Sequence, residues 1–397
     1  MHAPHFEKET SCIYCGNNPV SHRASYITQS ILVAGLPFAV LFSFLLRPFF
    51  LTIIHRFITA WNTESLEIIG LAKFNADIEH VCGGRSREIW KEANARGIFM
   101  EQMVLGKKYT EQFRAKMHGK MYYFTSLPIP PYLDQRAYLW IDSKVALKKF
   151  FMKHGVPTPK GGSACTWKTA RTIWNRIEKP VIIKPANGSR GRHSLTHLTT
   201  EADLRHGYTI AKQLCCSVVV EEHLMGSVYR ATYVGGTIAG VLRGDPPRIT
   251  GDGTSSVRTL MIEKNANRPK EVHEVEEKQT VEECLQRQGY TYDSVLENGK
   301  RIDLLEKIGL SYGGDAVEEF PRTHPKLLAE LKRAGDLLNI PLVGFDFISE
   351  DITKDPTGVR WGIIEANSMP FIDLHHDPRA GTPINVAAKV WDLWVNK

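Results

Sequence analysis

Apolar positions along this chain follow two periods, broken by one long uncharged run. That run extends from Ala24 to Leu46 and is bracketed by Arg23 and Arg47. About 20 apolar residues suffice for a helix to cross a bilayer core, so the run is long enough. The same run suits a helix lying in the membrane interface, a re-entrant hairpin bent at Arg47-Pro48, or a helix buried against region 60–135 or in a dimer interface. The apolar segment Phe49 to Ile54 is too short to cross back. Helical spacing recurs over Ser86–Ala95, Ser143–His154, Val281–Gly289 and His324–Leu338. The helix from Ser143 is stopped by Gly155-Val-Pro-Thr-Pro159. Strand patterns fall on Gly97–Leu105, Met121–Thr125, Pro180–Pro185, Cys216–Leu224, Val343–Ile348 and Gly362–Ile364, with a glycine-interrupted hairpin over Tyr229–Leu242. These patterns predict a mixed α/β (α+β) protein. A tail and hydrophobic segment would occupy 1–59, a small α/β domain 60–135, and a larger domain 136–397.

Composition narrows the setting. The formal charge of +7 suits phosphate-bearing ligands or an anionic membrane surface, but it is too diffuse to imply nucleic acid. Seven cysteines without a disulfide framework indicate a reducing, cytoplasmic compartment. Acidic Glu7 and Glu9 precede the apolar run and no small-residue cleavage site follows it, which argues against a cleaved signal. Cys12 and Cys15 form half of a zinc-ribbon pattern. His2, His5 and His22 are nearby candidates to complete a zinc site, and Cys82 is a remote one. A redox dithiol or an inert tail also fits.

Candidate chemistry concentrates in three places. Glu365 and Asn367 sit two apart at a strand end and so share a face. With Asp346 on a neighbouring apolar strand, they would present hard oxygen ligands to Mg²⁺ or Mn²⁺. For an isolated E-x-N, a strand-end glutamate and a turn asparagine explain the residues more simply than a metal site. Lys184 is embedded in a buried strand and needs a partner there. It precedes Asn187-Gly-Ser-Arg-Gly-Arg-His-Ser194, a glycine-rich loop whose backbone N–H groups can wrap phosphate oxygens. No G-x-x-x-x-G-K-[ST] P-loop occurs.

The order of these pieces resembles an ATP-grasp domain. Residues from about 143 to 394 resemble the corresponding part of cyanophycin synthetase and of bifunctional glutathione synthetases. The resemblance rests on Val181-Ile-Ile-Lys-Pro185, Val220-Glu221, Gly235-Gly236, Arg243 with Asp245-Pro246, Gly251-Asp-Gly253, Gly313-Gly314, Gly344-x-Asp346, Glu365-x-Asn367 and His375. It implies that Lys144 and Lys184 contact ATP phosphates and that Gly188, Ser189 and Gly191 cover them. It implies that Glu221 and the chain through Leu224 line the adenine pocket, and that Asp346, Glu365 and Asn367 hold the metal. Arg230 and Arg243 would lie near the reacting phosphoryl group, with Ser311 and His375 towards the acceptor.

Departures from the pattern are informative. Val228 stands where a ribose-binding carboxylate is expected, leaving Glu222 or Ser227 to substitute. Phe371, Asp373 and Thr382 replace a glycine, an arginine and a lysine in the substrate-facing tail. The Mur-ligase-like half of cyanophycin synthetase and the glutamate–cysteine ligase half of the glutathione enzymes have no counterpart in this sequence, so neither product is expected from it alone. The resemblance implies an ATP-dependent carboxylate–amine ligase acting on small-molecule or peptide substrates. Its alternatives are a kinase that stops at phosphoryl transfer and a non-catalytic, membrane-associated nucleotide-binding protein. A membrane surface reached through 24–58 and a homo-oligomer are both compatible with it.

Overall fold

The computed structural model describes residues 12–15, 19–45, 65–188, 191–270 and 272–395. The uncharged run forms helix α1, His22–Leu45, with Pro37 inside it. One side of α1 packs on the later chain. Ser30 Oγ accepts from the Cys216 N–H at 3.1 Å, Val33 packs beside Cys215 and Val219, and Leu36 and Val40 rest on the main core. On the other side Ile27, Ile31, Phe38 and Leu41 are each more than half exposed. The alternative of a helix buried against region 60–135 is therefore not what forms, since its packing partners among the described residues follow residue 136. The segment Phe49–Ile54 lies outside the described residues.

Strands β1 (Ala72–Asn75), β2 (Met100–Leu105), β3 (Lys108–Met117) and β4 (Lys120–Thr125) make an antiparallel sheet in that order. The helix expected near 86–95 spans Gly84–Ala95. Sequence patterning missed β3, whose positions are mostly polar because only one face is covered. Phe113, Ala115 and Met117 carry the period of two that would have revealed it. The apolar face of this sheet is completed from the far end of the chain. Helix Val386–Asp392 packs Val386, Val390 and Trp391 against Ile89, Trp90, Phe113 and Phe124. The Trp391 indole N–H donates to Ile89 O at 2.9 Å.

A second antiparallel sheet contains β5 (Gly161–Ala164), β6 (Val181–Pro185), β7 (Leu195–Leu198) and β8 (Val218–Glu222), ordered β5-β8-β6-β7. The Val218-Val-Val run is buried at every position, as expected for β-branched residues in a strand covered on both faces. Helices Trp167–Trp174 and Glu201–Ala211 cover one face, and Thr200 with Asp203 forms a capping box on the latter.

The third sheet combines β9 (Ser227–Val234), β10 (Thr237–Asp245), β13 (Asp315–Glu318), β14 (Leu342–Ser349) and β15 (Trp361–Asn367), ordered β13-β10-β9-β14-β15. The hairpin read at 229–242 turns at Gly235-Gly236, where φ of +56° and +88° is the geometry of a two-residue hairpin turn that glycine permits. Helices Lys144–Lys153 and Pro325–Leu338 pack on Phe345 and Phe347 from the face opposite the cleft. Between β10 and β13 the chain builds a small lobe from β11 (Arg248–Thr250), β12 (Arg301–Asp303) and helices Val257–Ala266 and Gln279–Arg287.

Candidate active-site cleft

A cleft of about 1850 Å³ opens between the second sheet, the third sheet and the small lobe. Its floor is β14 and β15, paired so that Asp346 faces Glu365 and Gly344 faces Asn367. A bulge follows Asp346 in this ladder, and Ile364 and Glu365 both line the cleft as a result. Arg230 lies opposite Asp346 on β9 and grips both carboxylate oxygens, at 2.7 and 2.8 Å. The Asn367 amide lies 3.3 Å from Asp346. Lys144 Nζ donates to Gly188 O at 2.9 Å and sits 3.2 Å from Glu365. Two carboxylates and an amide oxygen on paired strands are the donor chemistry that Mg²⁺ takes. The residues fit that ion, and Lys144 and Arg230 offset the carboxylate charge beside it.

Gly188 and Gly191 line the cleft mouth, while Ser189 lies outside the described residues. Lys184 finds the partner its burial demands. It pairs with Glu221, whose other oxygen accepts from Lys148 Nζ at 2.7 Å. Burial works against the Glu221 charge, yet Lys184 and Lys148 together hold its carboxyl below the ordinary range. Burial in turn lowers Lys148. Lys148 was not singled out from the sequence, although it follows Lys144 by one helical turn and so shares its face. Glu222 is engaged elsewhere: its oxygens accept from the Lys160 N–H at 2.9 Å and from Arg360 at 3.0 Å. Leu224 is buried, and Val228 lines the cleft.

Arg243 also lines the cleft, with its guanidinium on both oxygens of Asp245 at 2.9 and 3.0 Å and on Glu319 at 2.6 Å. Ser311 lines the same wall. His375 is placed differently from the expectation. It is fully enclosed, with Nδ1 2.6 Å from Glu318 and Nε2 2.8 Å from Thr232 Oγ1. A Cβ at Gly240 would come within 2.5 Å of its ring, so glycine makes the space. With both nitrogens engaged in the interior, His375 braces β9, β13 and the tail, while its neighbours Phe371 and Leu374 face the cleft.

The tail is steadied from the first sheet's side. Arg85 donates to Met369 O at 2.7 Å, and its guanidinium lies 5.6 Å from the Phe371 ring centre, with Arg230 at 5.9 Å. Burial raises the Asp373 carboxyl, whose Oδ1 is buried without a hydrogen-bond partner among the described residues. Nothing in the local sequence around Arg85 signalled this reach.

Beside the glycine-rich loop, Cys12, Cys15, His22 and His193 converge. All four are buried, and their ligand atoms lie within 4.8 Å of one another. His2 and His5 fall outside the described residues. Cys82, the remote candidate, is not in the group, since its thiol donates to Tyr109 O at 3.3 Å. His193 had been read only as part of the phosphate loop.

No family model matches the chain. Similar proteins include cyanophycin synthetase of Trichormus variabilis, 27% identical over 328 residues, which cover 78% of this chain and 35% of that protein. The glutathione biosynthesis bifunctional protein GshAB of Desulfotalea psychrophila is 29% identical over 271 residues, 64% of this chain and 34% of that protein. The chain thus spans about a third of the length of these curated relatives. Among solved structures, a bifunctional glutathione synthetase from Pasteurella multocida matches with a TM-score of 0.57 and 22% identity, over 78% of this chain and 44% of that one. Shared architecture with that synthetase, together with sequence similarity to both groups of relatives, leads to one assignment: the chain has an ATP-grasp fold.

Proposed function

We propose that this chain is an ATP-dependent carboxylate–amine ligase that forms an amide or peptide bond through an acyl phosphate. The observation that carries the reading is the cleft floor. Asp346, Glu365 and Asn367 lie together on paired strands, with Arg230 and Lys144 against the carboxylates and Lys144 also holding the Gly188 carbonyl. A carboxylate resists amines because of its charge and its poor leaving group. Taking the γ-phosphoryl group of ATP turns that oxygen into part of a phosphate. The amine then adds to the carbonyl carbon, phosphate departs, and the amine proton passes to solvent or a base. Mg²⁺, held by Asp346, Glu365 and Asn367, would supply charge neutralisation on the phosphates. Lys144 and Lys184 add cations on the nucleotide side, and Arg230 and Arg243 face the charge that develops during transfer. The loop around Gly188 and Gly191 would exclude water from the acyl phosphate.

The sequence difference at Phe371, whose ring lines the cleft where the similar proteins carry glycine, supports substrates other than theirs. The reading extends to location. The exposed side of α1 supports a helix lying in the interface of an anionic membrane, with the cleft on the cytoplasmic side. The decisive experiment screens carboxylate and amine pools for ADP release and identifies the product by mass spectrometry. ADP release that needs both a carboxylate and an amine, with the mass of their amide, is expected. A stable phosphorylated product formed without an amine would mark a kinase instead.

A further inference from the structure

We propose that Cys12, Cys15, His22 and His193 are the ligands of a structural zinc ion that fastens the N-terminal segment to the end of the phosphate-covering loop. The four come from three separate places: the turn Ile13–Cys15 and the residue before it, the first residue of α1, and the stretch after Gly191. Sulfur-to-nitrogen distances are 3.4 Å for Cys12–His193, 3.3 Å for Cys15–His22 and 3.4 Å for Cys15–His193. A tetrahedral site with Zn–S of about 2.3 Å and Zn–N of about 2.0 Å has S···N edges of roughly 3.5 Å. The side chains are thus spaced close to what one shared tetrahedral ion requires.

The surroundings agree with a closed metal site. His193 Nδ1 is 2.8 Å from Ile210 O, a bond that leaves Nε2 as the lone-pair nitrogen aimed at the sulfurs. Such outer bonds orient zinc-bound imidazoles. A redox dithiol needs a solvent-accessible thiolate. Here Cys12 is 6% exposed and Cys15 0%, so neither sulfur is placed to exchange with a partner. On binding, the two thiols release their protons to solvent and the ion keeps its oxidation state. Two thiolates and two neutral imidazoles leave the centre without net charge, which suits its burial.

The site has a consequence for the cleft. The His193 N–H donates to Tyr14 O at 3.0 Å, and Lys307 Nζ reaches the same carbonyl at 3.3 Å. Cys12, Ile13 and Tyr14 line the cleft together with Gly191 and Arg192. One end of the loop is held by Lys144 through Gly188 O, and zinc would hold the other through His193. This coupling rests on the ligase reading of the loop, whereas the metal site itself does not.

Full-length protein purified under reducing conditions and dialysed should carry about one zinc per chain by elemental mass spectrometry. Cys15→Ser and His193→Gln should each reduce that content to near zero, while Cys82→Ser keeps it. Cobalt(II) alone, added to metal-free wild type, should give the intense visible bands of a tetrahedral thiolate–imidazole site, a readout independent of whether the variants fold. Removing zinc should speed hydrogen exchange over residues 12–22 and 191–198. The proposal is overturned if wild type takes up neither zinc nor cobalt, if Cys15→Ser retains full zinc, or if Cys12 and Cys15 are recovered as a disulfide from reducing buffer. Zinc binding in a protein that never releases ADP would leave the metal site standing and remove the ligase reading. Unchanged exchange over 191–198 on zinc removal would refute the coupling.

Discussion

Glu365 stands against Lys144, and Asp346 against Arg230, so both candidate carboxylate ligands already have a cation of the chain beside them. Glu365→Gln keeps the shape and removes the charge. Residues that merely support metal ligands are worth about 10- to 100-fold. ADP release by Glu365→Gln at saturating Mg²⁺ should therefore fall by more than about a hundredfold, with an unchanged circular dichroism spectrum. Wild-type turnover would remove Glu365 from the site. Glu306 allows a pH test. Its carboxylate accepts from Thr196 Oγ1 and lies 3.2 Å from His197 and 2.9 Å from Arg287. Burial opposes its charge, but the bonds from His197 and Thr196 and the Arg287 charge hold it at about 2, below its ordinary 4.5. A lowered carboxyl stabilises the fold above the unfolded value and loses that contribution as pH falls through the folded one. The urea midpoint of wild type should thus drop more steeply than that of Glu306→Gln as pH falls from about 4.5 towards 2. Parallel curves would show that Glu306 contributes nothing.

At the scale of elements, α1 divides into two sides at helical spacing. Ser30, Val33, Leu36 and Val40 meet the later chain, and Ile27, Ile31, Phe38 and Leu41 do not. A span ringed by lipid is incompatible with the packed side, so the membrane reading becomes a helix lying flat. Full-length protein should float with anionic liposomes, and Ile31→Glu with Phe38→Glu should largely abolish flotation without changing ADP release. Protein that stays at the bottom of the gradient, and elutes as a dimer those substitutions dissociate, would assign the face to a second copy. The helix itself was legible from its uncharged run. Its one-sided packing was not, because apolar residues stand on both sides of the helix.

Across the whole molecule, the first sheet and the C-terminal helix share one core. Trp391 is fully buried among Ile89, Phe113 and Phe124, and Arg96 binds Asp392 at 2.8 Å. Truncating such a side chain costs about 3–5 kcal/mol. Trp391→Ala should lower stability by that amount and raise hydrogen exchange over 84–125 as well as 386–395. Faster exchange confined to 386–395 would mean that the sheet stands without the helix. The coupling matters for the cleft, since Arg85 on the sheet side holds the Met369 carbonyl beside the strand that carries Glu365 and Asn367.

The sequence by itself determined the most apolar strands, the helices near 86–95, 143–154, 281–289 and 324–338, and the shared face of Glu365 and Asn367. Those features rest on periods of two and 3.6 and on neighbours a few residues apart, which leave a trace in the order of residues. The embedded Lys184 announced that it needed a partner, although not which one. Tertiary structure decided the rest. It chose Glu221 for Lys184 and brought in Lys148, turned His375 into the interior, sent Arg85 to a carbonyl 284 residues away, and carried His193 to a cysteine 178 residues before it. Contacts of that separation are set by how sheets and helices pack, and packing imposes no period on the sequence that encodes it.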